Sequence, residues 1–250
     1  MRIPVVAGTI DRRILINYRV ELSVLRKILP SPFRPTVVDG YGIAGIDLLR
    51  LKNLRVKGLP NYLGYTSENA IHRISVEWDE LGHTQRGVYT PRLETDSFTT
   101  SMVGSRVFPG FHHWSKFKVD ESEDQFNIIV KHDGQQMIKL EAKLRDRFPM
   151  ESIFRHMPKA SRFFAGDRIA YSPRFQTSIF DGVQLKCRRW KLEPLQVNAL
   201  DSQYFEQKQM FPKGSIFFDH ATIMRGIEHE WHSCGDLIAS RPIRLGGFLL

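Results

Sequence analysis

The stretch FNIIVKHDGQQMIKLEAKLRD, Phe126–Asp146, constrains the fold more than any other part of the chain. Apolar and polar residues alternate on either side of Asp133-Gly134, the period of two that lays one strand face on a core. An Asp-Gly pair between two such runs suits the left-handed backbone of a two-residue hairpin. Comparable runs recur along the chain. Arg13–Val20 (RILINYRV) and Tyr41–Leu51 (YGIAGIDLLRL) are apolar and β-branched. In Ala70–Glu80 (AIHRISVEWDE), Ala70, His72, Ile74, Val76 and Trp78 alternate with Ile71, Arg73, Ser75 and Glu77, the pattern of a half-buried strand. A turn in ELGHTQRG returns the chain into Gly87–Glu94 (GVYTPRLE), and Ser215–Ser233 is again strand-like.

Helical signals are short. Val20, Val24, Leu25 and Ile28 recur at helical spacing before Pro30 and Pro32 stop the run. Thr95–Phe108 predicts a short helix capped by Thr95 or Asp96, with Phe98 and Met102 on one face. Met150–Phe164 predicts another whose first part ends before Pro158, and Leu200–Pro212 a third capped by Asp201. No internal repeat or linker-like tract interrupts the pattern. The expectation is one domain over residues 1–250 with an α+β, mainly antiparallel β fold, a curled sheet or barrel carrying a few short helices.

At 250 residues, with 42% apolar and 25% charged side chains, the chain can bury a core without disulfide or metal support. No apolar run approaches the roughly 18 residues of a membrane span, and MRIPVVAGTIDRR lacks the features of a signal peptide. The expectation is a cytoplasmic protein with no membrane partner. Cys187 and Cys234 stand far apart, which suits small buried hydrophobes better than a thiolate metal site. The net charge of +9 attracts nucleic acid, anionic lipid or acidic metabolites. Its clusters, Arg50–Lys57 and Lys186–Lys191, are modest; in the second, alternation sends Lys186, Arg188 and Trp190 to one face. No nucleic-acid-binding signature accompanies them, so a solvated strand face is the preferred reading and nucleic acid is disfavoured as a partner.

Nine histidines raise the question of a metal. In an extended Glu228–His232, Glu228, Glu230 and His232 share one face and His229 takes the other, so the two histidines do not converge. The same geometry separates His112 from His113, and no metal site is expected. A single histidine lining a cavity suits proton transfer, because its ordinary pKa lies near 6.5. No Gly-x-Ser-x-Gly elbow, Walker loop or dinucleotide fingerprint is present, and no cofactor is expected.

Taken together and in order, INYRVELSVLRKILPSPF, YTSENAIHRISVEW, GSRVFPGFHHW and FFDHA resemble stretches of acetoacetate decarboxylase and its relatives, specifically a branch without that family's lysine pair. The resemblance implies a curled antiparallel barrel around a small-molecule cavity. The family's chemistry uses a lysine that forms an imine with a β-keto acid and so holds the electrons released with carbon dioxide. That position falls here on His112 or His113, and the second lysine on His113 or Trp114. Imidazole forms no stable imine with a ketone, so the resemblance implies the fold without the mechanism. Lys116, on one face with His112 and Trp114 in an extended strand, is the amine nearest this position. The family's Tyr-Thr-Glu carboxylate corresponds to Glu68 after a one-place shift, with Ser67 the ungapped partner. Its earlier carboxylate corresponds to Asp47, and its N-terminal arginine falls beside Arg12.

The expected function is binding of a small carbonyl or carboxylate compound. In an enzyme, His112 or His113 would be the acid/base, Glu68 and Asp47 its partners, and Arg12 the group orienting an anionic ligand, with Trp114 and Lys116 beside it. Homo-oligomerisation stays open. The alternatives are a ligand-binding or sensor module without turnover and a basic nucleic-acid-associated protein.

Overall fold

The structure, a computed structural model, describes residues 4–97, 112–174 and 178–239. In chain order its elements are β1 (Val6–Glu21), α1 (Leu22–Ile28), β2 (Arg34–Pro35), β3 (Val37–Val38), β4 (Tyr41–Val56), β5 (Tyr65–Glu80), β6 (His83–Thr95), β7 (His112–Trp114), β8 (Lys116–Glu121), β9 (Gln125–His132) and β10 (Gln135–Leu144). After these come α2 (Met157–Gly166), β11 (Ile169–Pro173), β12 (Ile179–Cys187), β13 (Glu193–Ser202), β14 (Ile216–Ser233) and β15 (Leu237–Ile238). The α+β, mainly antiparallel character expected from the periodicity is present.

The strands join in the order β15-β12-β11-β6-β5-β4-β1-β14-β13-β10-β9-β8, with β2 on β5, β3 on β4 and β7 on β6. Only β6–β11 and β6–β7 are parallel among the described pairs. The sheet forks at β14. One edge of this strand runs along β1, while the other meets β13 at Ala221–Ile223 and β12 at His229–Ser233. Gly226 lies between the two pairings with φ +64, a left-handed conformation that glycine adopts without steric cost. The β12–β14 pairing closes β1, β4, β5, β6, β11, β12 and β14 into a barrel. Strands β13, β10, β9 and β8 curl away as a second lobe, and Glu121 of β8 reaches back to Arg12 and Arg50.

This branching covers both faces of β1, β4 and β5. Ile14, Ile16, Ile46, Leu48, Ala70 and Ile74 share a core with Ile128 and Leu140 of the second lobe. Ile10, Leu15, Leu49 and Leu51 pack on the opposite side with Ala160 and Phe164 of α2. Each fully buried aliphatic side chain contributes roughly 1.5–3 kcal/mol, so the doubly covered strands carry much of the stability. Strand β5 is therefore not half-buried as its alternation suggested: Arg73 and Ser75, on the face read as solvated, are 2% and 0% exposed.

The hairpin formed as expected, with Asp133 at φ 47 and Gly134 at φ 79. Other local expectations failed for identifiable reasons. Pro158 begins α2 rather than ending a helix, because the first turn leaves its missing N–H unneeded. Residues 200–202 continue β13, and the chain then turns instead of forming a helix. Ser202 Oγ accepts the Phe205 N–H at 3.4 Å, and the Glu206 carboxylate accepts the Ser202 N–H at 3.2 Å. Asp201 is a strand partner of Lys139, not a cap. Strand β12 stops at Cys187, so alternation does not extend to Trp190, which packs on the α2-side core. Cys187 and Cys234 are free and only half-buried. The helix expected after Thr95 falls largely on residues 98–111, outside the described residues. No helix among the described residues is long and apolar enough to cross a membrane.

Candidate functional site

Three strands bring one polar group into the second-lobe core. Across β5 and β6, Ala70 pairs with Glu94 and His72 with Arg92; across β6 and β7, Glu94 pairs with His113. Register partners share a face, and Ala70 belongs to the core shared with the second lobe. His72, Arg92, Glu94 and His113 therefore project into that interior. The His72 ring centre lies 4.6 Å from that of Tyr204 and 5.8 Å from that of Phe205, both tilted. A β-bulge makes this possible. On the turn side Ile74 pairs with Tyr89, yet two residues back along β5 His72 pairs with Arg92, so β6 carries one extra residue at Thr90-Pro91. Proline cannot donate to a ladder and settles at such bulges. Without the bulge Arg92 and Glu94 would point to the other face.

His112 takes the other direction, as adjacent strand residues must. It borders a small apolar cavity with Leu49, Leu54, Ile71 and Trp231 on the α2-side of the sheet. The pair thus serves two interiors. Among the described residues no group of His, Cys, Asp and Glu is placed to hold a metal ion.

The electrostatics of the interior group follow from burial. Glu94 is 0% exposed and accepts from Arg92 Nε at 2.5 Å. Burial opposes its ionisation, but His72 and Arg92 outweigh that and hold the carboxyl down at about 2. Burial, with Arg92 nearby, pushes the His113 imidazole down to about 4, against the pull of Glu94. Neither ring nitrogen of His72 has a hydrogen-bond partner among the described residues; Glu94 Oε2 stands 3.5 Å from Nδ1. Buried polar atoms left unmatched cost about 1–3 kcal/mol each, so these groups suit a polar ligand or water.

One register row away, Arg12, Arg50 and Glu68 face the same interior and close a ring with Glu121. Glu68 accepts from Arg12 Nη2 and Arg50 Nε, each at 2.5 Å. Glu121 accepts from Arg12 Nη1 at 2.5 Å and also from Arg50 Nη1. Burial lifts the Glu68 carboxyl above its ordinary value, with the two arginines opposing. Arg12 and Glu68, matched from the sequence, are thus brought together. The carboxylate opposite His113 is nevertheless Glu94, not Glu68.

Asp47 lies on the opposite face, away from both histidines. It accepts from Arg13 Nη2 at 2.5 Å and from Arg73 Nε at 2.7 Å. Burial opposes its charge, but the two guanidiniums prevail and hold the carboxyl below its ordinary value. Arg73 fits because residue 45 is glycine: a Cβ there would stand 3.1 Å from Arg73 Nη2 and 2.4 Å from the Ile16 carbonyl oxygen. Arg73 also donates to Asn17 Oδ1, leaving the Asn17 amide nitrogen to face His220 Nε2 at 3.1 Å. His220 Nδ1 in turn donates to Asp219 at 2.6 Å. The Phe-Asp-His-Ala segment is therefore part of a buried structural network. Trp114 is 49% exposed, and Lys116 is exposed on β8 opposite Lys131. All lysines of the chain fall within the described residues and are exposed, except Lys139, which is half-buried and 2.8 Å from Glu141. His229 borders a separate open groove of about 500 Å³ with Arg55, Lys186 and Arg188.

Residues 8–221 match the DUF2071 family, described as "Uncharacterized conserved protein". The chain belongs to this family. No curated protein matches its sequence significantly. Among solved structures, the acetoacetate decarboxylase of Legionella pneumophila superposes with a TM-score of 0.61 at 12% identity, over 93% of this chain and 88% of the other. An acetoacetate decarboxylase-like enzyme from Sphingomonas wittichii RW1 gives 0.61 at 11%, over 94% and 93%. The enduracididine biosynthesis enzyme MppR complexed with pyruvate gives 0.60 at 10%, over 94% and 90%. This member of DUF2071 therefore has the acetoacetate decarboxylase-like fold that its motifs resembled.

Two outcomes follow. Asp47→Ala leaves Arg13 and Arg73 without their shared carboxylate and should cost about 3–5 kcal/mol, read as a lower urea midpoint at unchanged m. The His113 ring should titrate near pH 4 in 1H–15N spectra. The unfolded chain binds that proton first, so stability should fall as pH drops from about 6.5 toward 4. A midpoint at or above 6.5 would put the ring outside a desolvated interior.

Proposed function

We propose that the protein binds a small carbonyl or carboxylate compound inside the second-lobe interior, against His72, Glu94 and His113, without forming an imine. The observation that carries this is the buried His72–Glu94 pair, whose unmatched polar atoms share a face with His113. The unmatched His72 ring supplies a donor beside the Glu94 carboxylate. A ligand carbonyl would meet that donor, and a ligand hydroxyl would meet the Glu94 carboxylate. The fold relative MppR is described in complex with pyruvate, a compound of this class.

The absence of imine chemistry is supported by the lysines, which are exposed or, for Lys139, half-buried beside Glu141. Imine formation needs a neutral lysine amine within reach of the ligand, obtained by desolvating the ammonium or placing it beside another cation. Binding without turnover is favoured by the electrostatics. General acid–base groups work best with pKa values near the operating pH, whereas His113 lies near 4 and Glu94 near 2. The nucleic-acid alternative loses its first basic cluster: Arg50 is engaged by Glu68 and Glu121, Lys52 by Asp11, and Lys57 by Glu230.

Pyruvate should shift the His72 and His113 ring resonances, and Glu94→Gln should weaken binding of lactate, whose hydroxyl can donate to this carboxylate, about tenfold or more through loss of a charged acceptor. Borohydride reduction with pyruvate or acetoacetate should leave the protein mass unchanged. A stable adduct on any lysine would overturn the exclusion of imine chemistry.

A further inference from the structure

We propose that Arg12 and Arg50 form a carboxylate subsite of the interior, which Glu121 fills when no ligand is bound and vacates when a small monocarboxylate enters. This rests on the interior-site reading above and adds where the ligand's charge is held and what competes for that place.

The four members of the ring are not equivalent. Arg12, Arg50 and Glu68 stand on β1, β4 and β5, paired directly as Arg12–Arg50 and Arg50–Glu68 at the centre of the sheet. Their backbones are fixed by strands with a core on each face. Glu121 comes from β8, the last strand of the sheet path, where its register partner is Phe126 of β9. Its side chain is 24% exposed, against 20% for Arg50, 11% for Glu68 and 3% for Arg12. Both its oxygens are held, one by each guanidinium. Arginine forks recognise a carboxylate through paired N–H donors of this kind. The carboxylate of Glu121 thus occupies the place that a ligand's carboxylate would take.

Charge fixes the class of ligand. With Glu121 the ring holds two cations and two anions, and the neighbouring Asp11, 3.7 Å from Arg50 Nη1, is matched by Lys52 at 2.9 Å; without Glu121 one positive charge is left over in a partly buried place. An unmatched buried charge is costly, so Glu121 leaves only when another anion arrives, and one negative charge restores the balance. Glu68 and Ala70 are successive residues on one strand face, about 7 Å apart at the usual rise, and Ala70 is the partner of Glu94. A short ligand anchored on Arg12 and Arg50 would direct its other end toward Glu94 and His113.

Acetate is the probe. Glu121→Gln preserves shape and removes the competing charge, so it should bind acetate about tenfold tighter or better than wild type, the scale of a charge-assisted hydrogen bond. Arg12→Met added to that variant should abolish the gain. Glu121→Asp, too short to reach both arginines, should move the same way and serves if Glu121→Gln does not fold. In wild type, saturating acetate should speed hydrogen–deuterium exchange of the β8 amides. Equal or weaker acetate binding by the Glu121 variants, or unchanged β8 exchange at saturation, would overturn the proposal. The two levels separate cleanly: if pyruvate perturbs His113 while the variants gain nothing for acetate, only the Glu121 inference fails. If no carbonyl compound perturbs His113 in any variant, the interior-site reading fails with it.

Discussion

Strands β1, β4 and β5 have a hydrophobic core on each face, and the charged side chains near their centres are largely withdrawn from water. Every charge there must find its counterpart inside the protein. Arg12 and Arg13 show the consequence most directly. As neighbours on one strand they point to opposite faces, and each is met by carboxylates of its own: Glu68 and Glu121 for Arg12, Asp47 for Arg13. The closed barrel, the second lobe and the interior polar group all depend on this pairing, because an unmatched guanidinium on either face would open the sheet to water.

The two networks differ in what they leave free. Around Asp47 the chain Arg73–Asn17–His220–Asp219 runs donor to acceptor at each step and ends on the Asp219 carboxylate, which also accepts from the Ser152 hydroxyl and the Ile153 N–H. Of these side chains only Arg73 leaves an atom, Nη1, without a partner among the described residues. On the other face every carboxylate oxygen of the Arg12–Glu68–Arg50–Glu121 ring is held and Arg12 Nε alone is unmatched, whereas both ring nitrogens of His72 and Glu94 Oε2, one or two rows deeper, lack hydrogen-bond partners among the described residues. That difference separates a structural network from a candidate binding site. It also explains why Asp47, the most conspicuous buried carboxylate in the sequence, belongs to the former.

Much of the architecture was legible in the sequence. The Asp133-Gly134 hairpin, the long strand runs and the divergence of His112 from His113 all follow from the period of two and from turn chemistry. Solvation of the second face of β5 was misread, because alternation cannot register a second core supplied by α2 and distant strands. Arg92 and Glu94 were missed for a subtler reason. Counting back from the Leu81-Gly82 turn sets a register that puts them on the wrong face, and only the bulge at Thr90-Pro91 corrects it. Pro91 was the available signal. Glu121 and Arg50 gave no comparable local sign, since their meeting depends on how the second lobe curls back. The resemblance to acetoacetate decarboxylases carried the fold, while the missing lysine pair carried the functional inference.

A crystal structure of the protein soaked with pyruvate tests the central claim most directly. The account predicts density for an intact, non-covalent ligand in the second-lobe interior, in contact with His72, Glu94 or His113. Density continuous with a lysine side chain, or a ligand seated elsewhere while this interior stays packed with protein atoms, would contradict it.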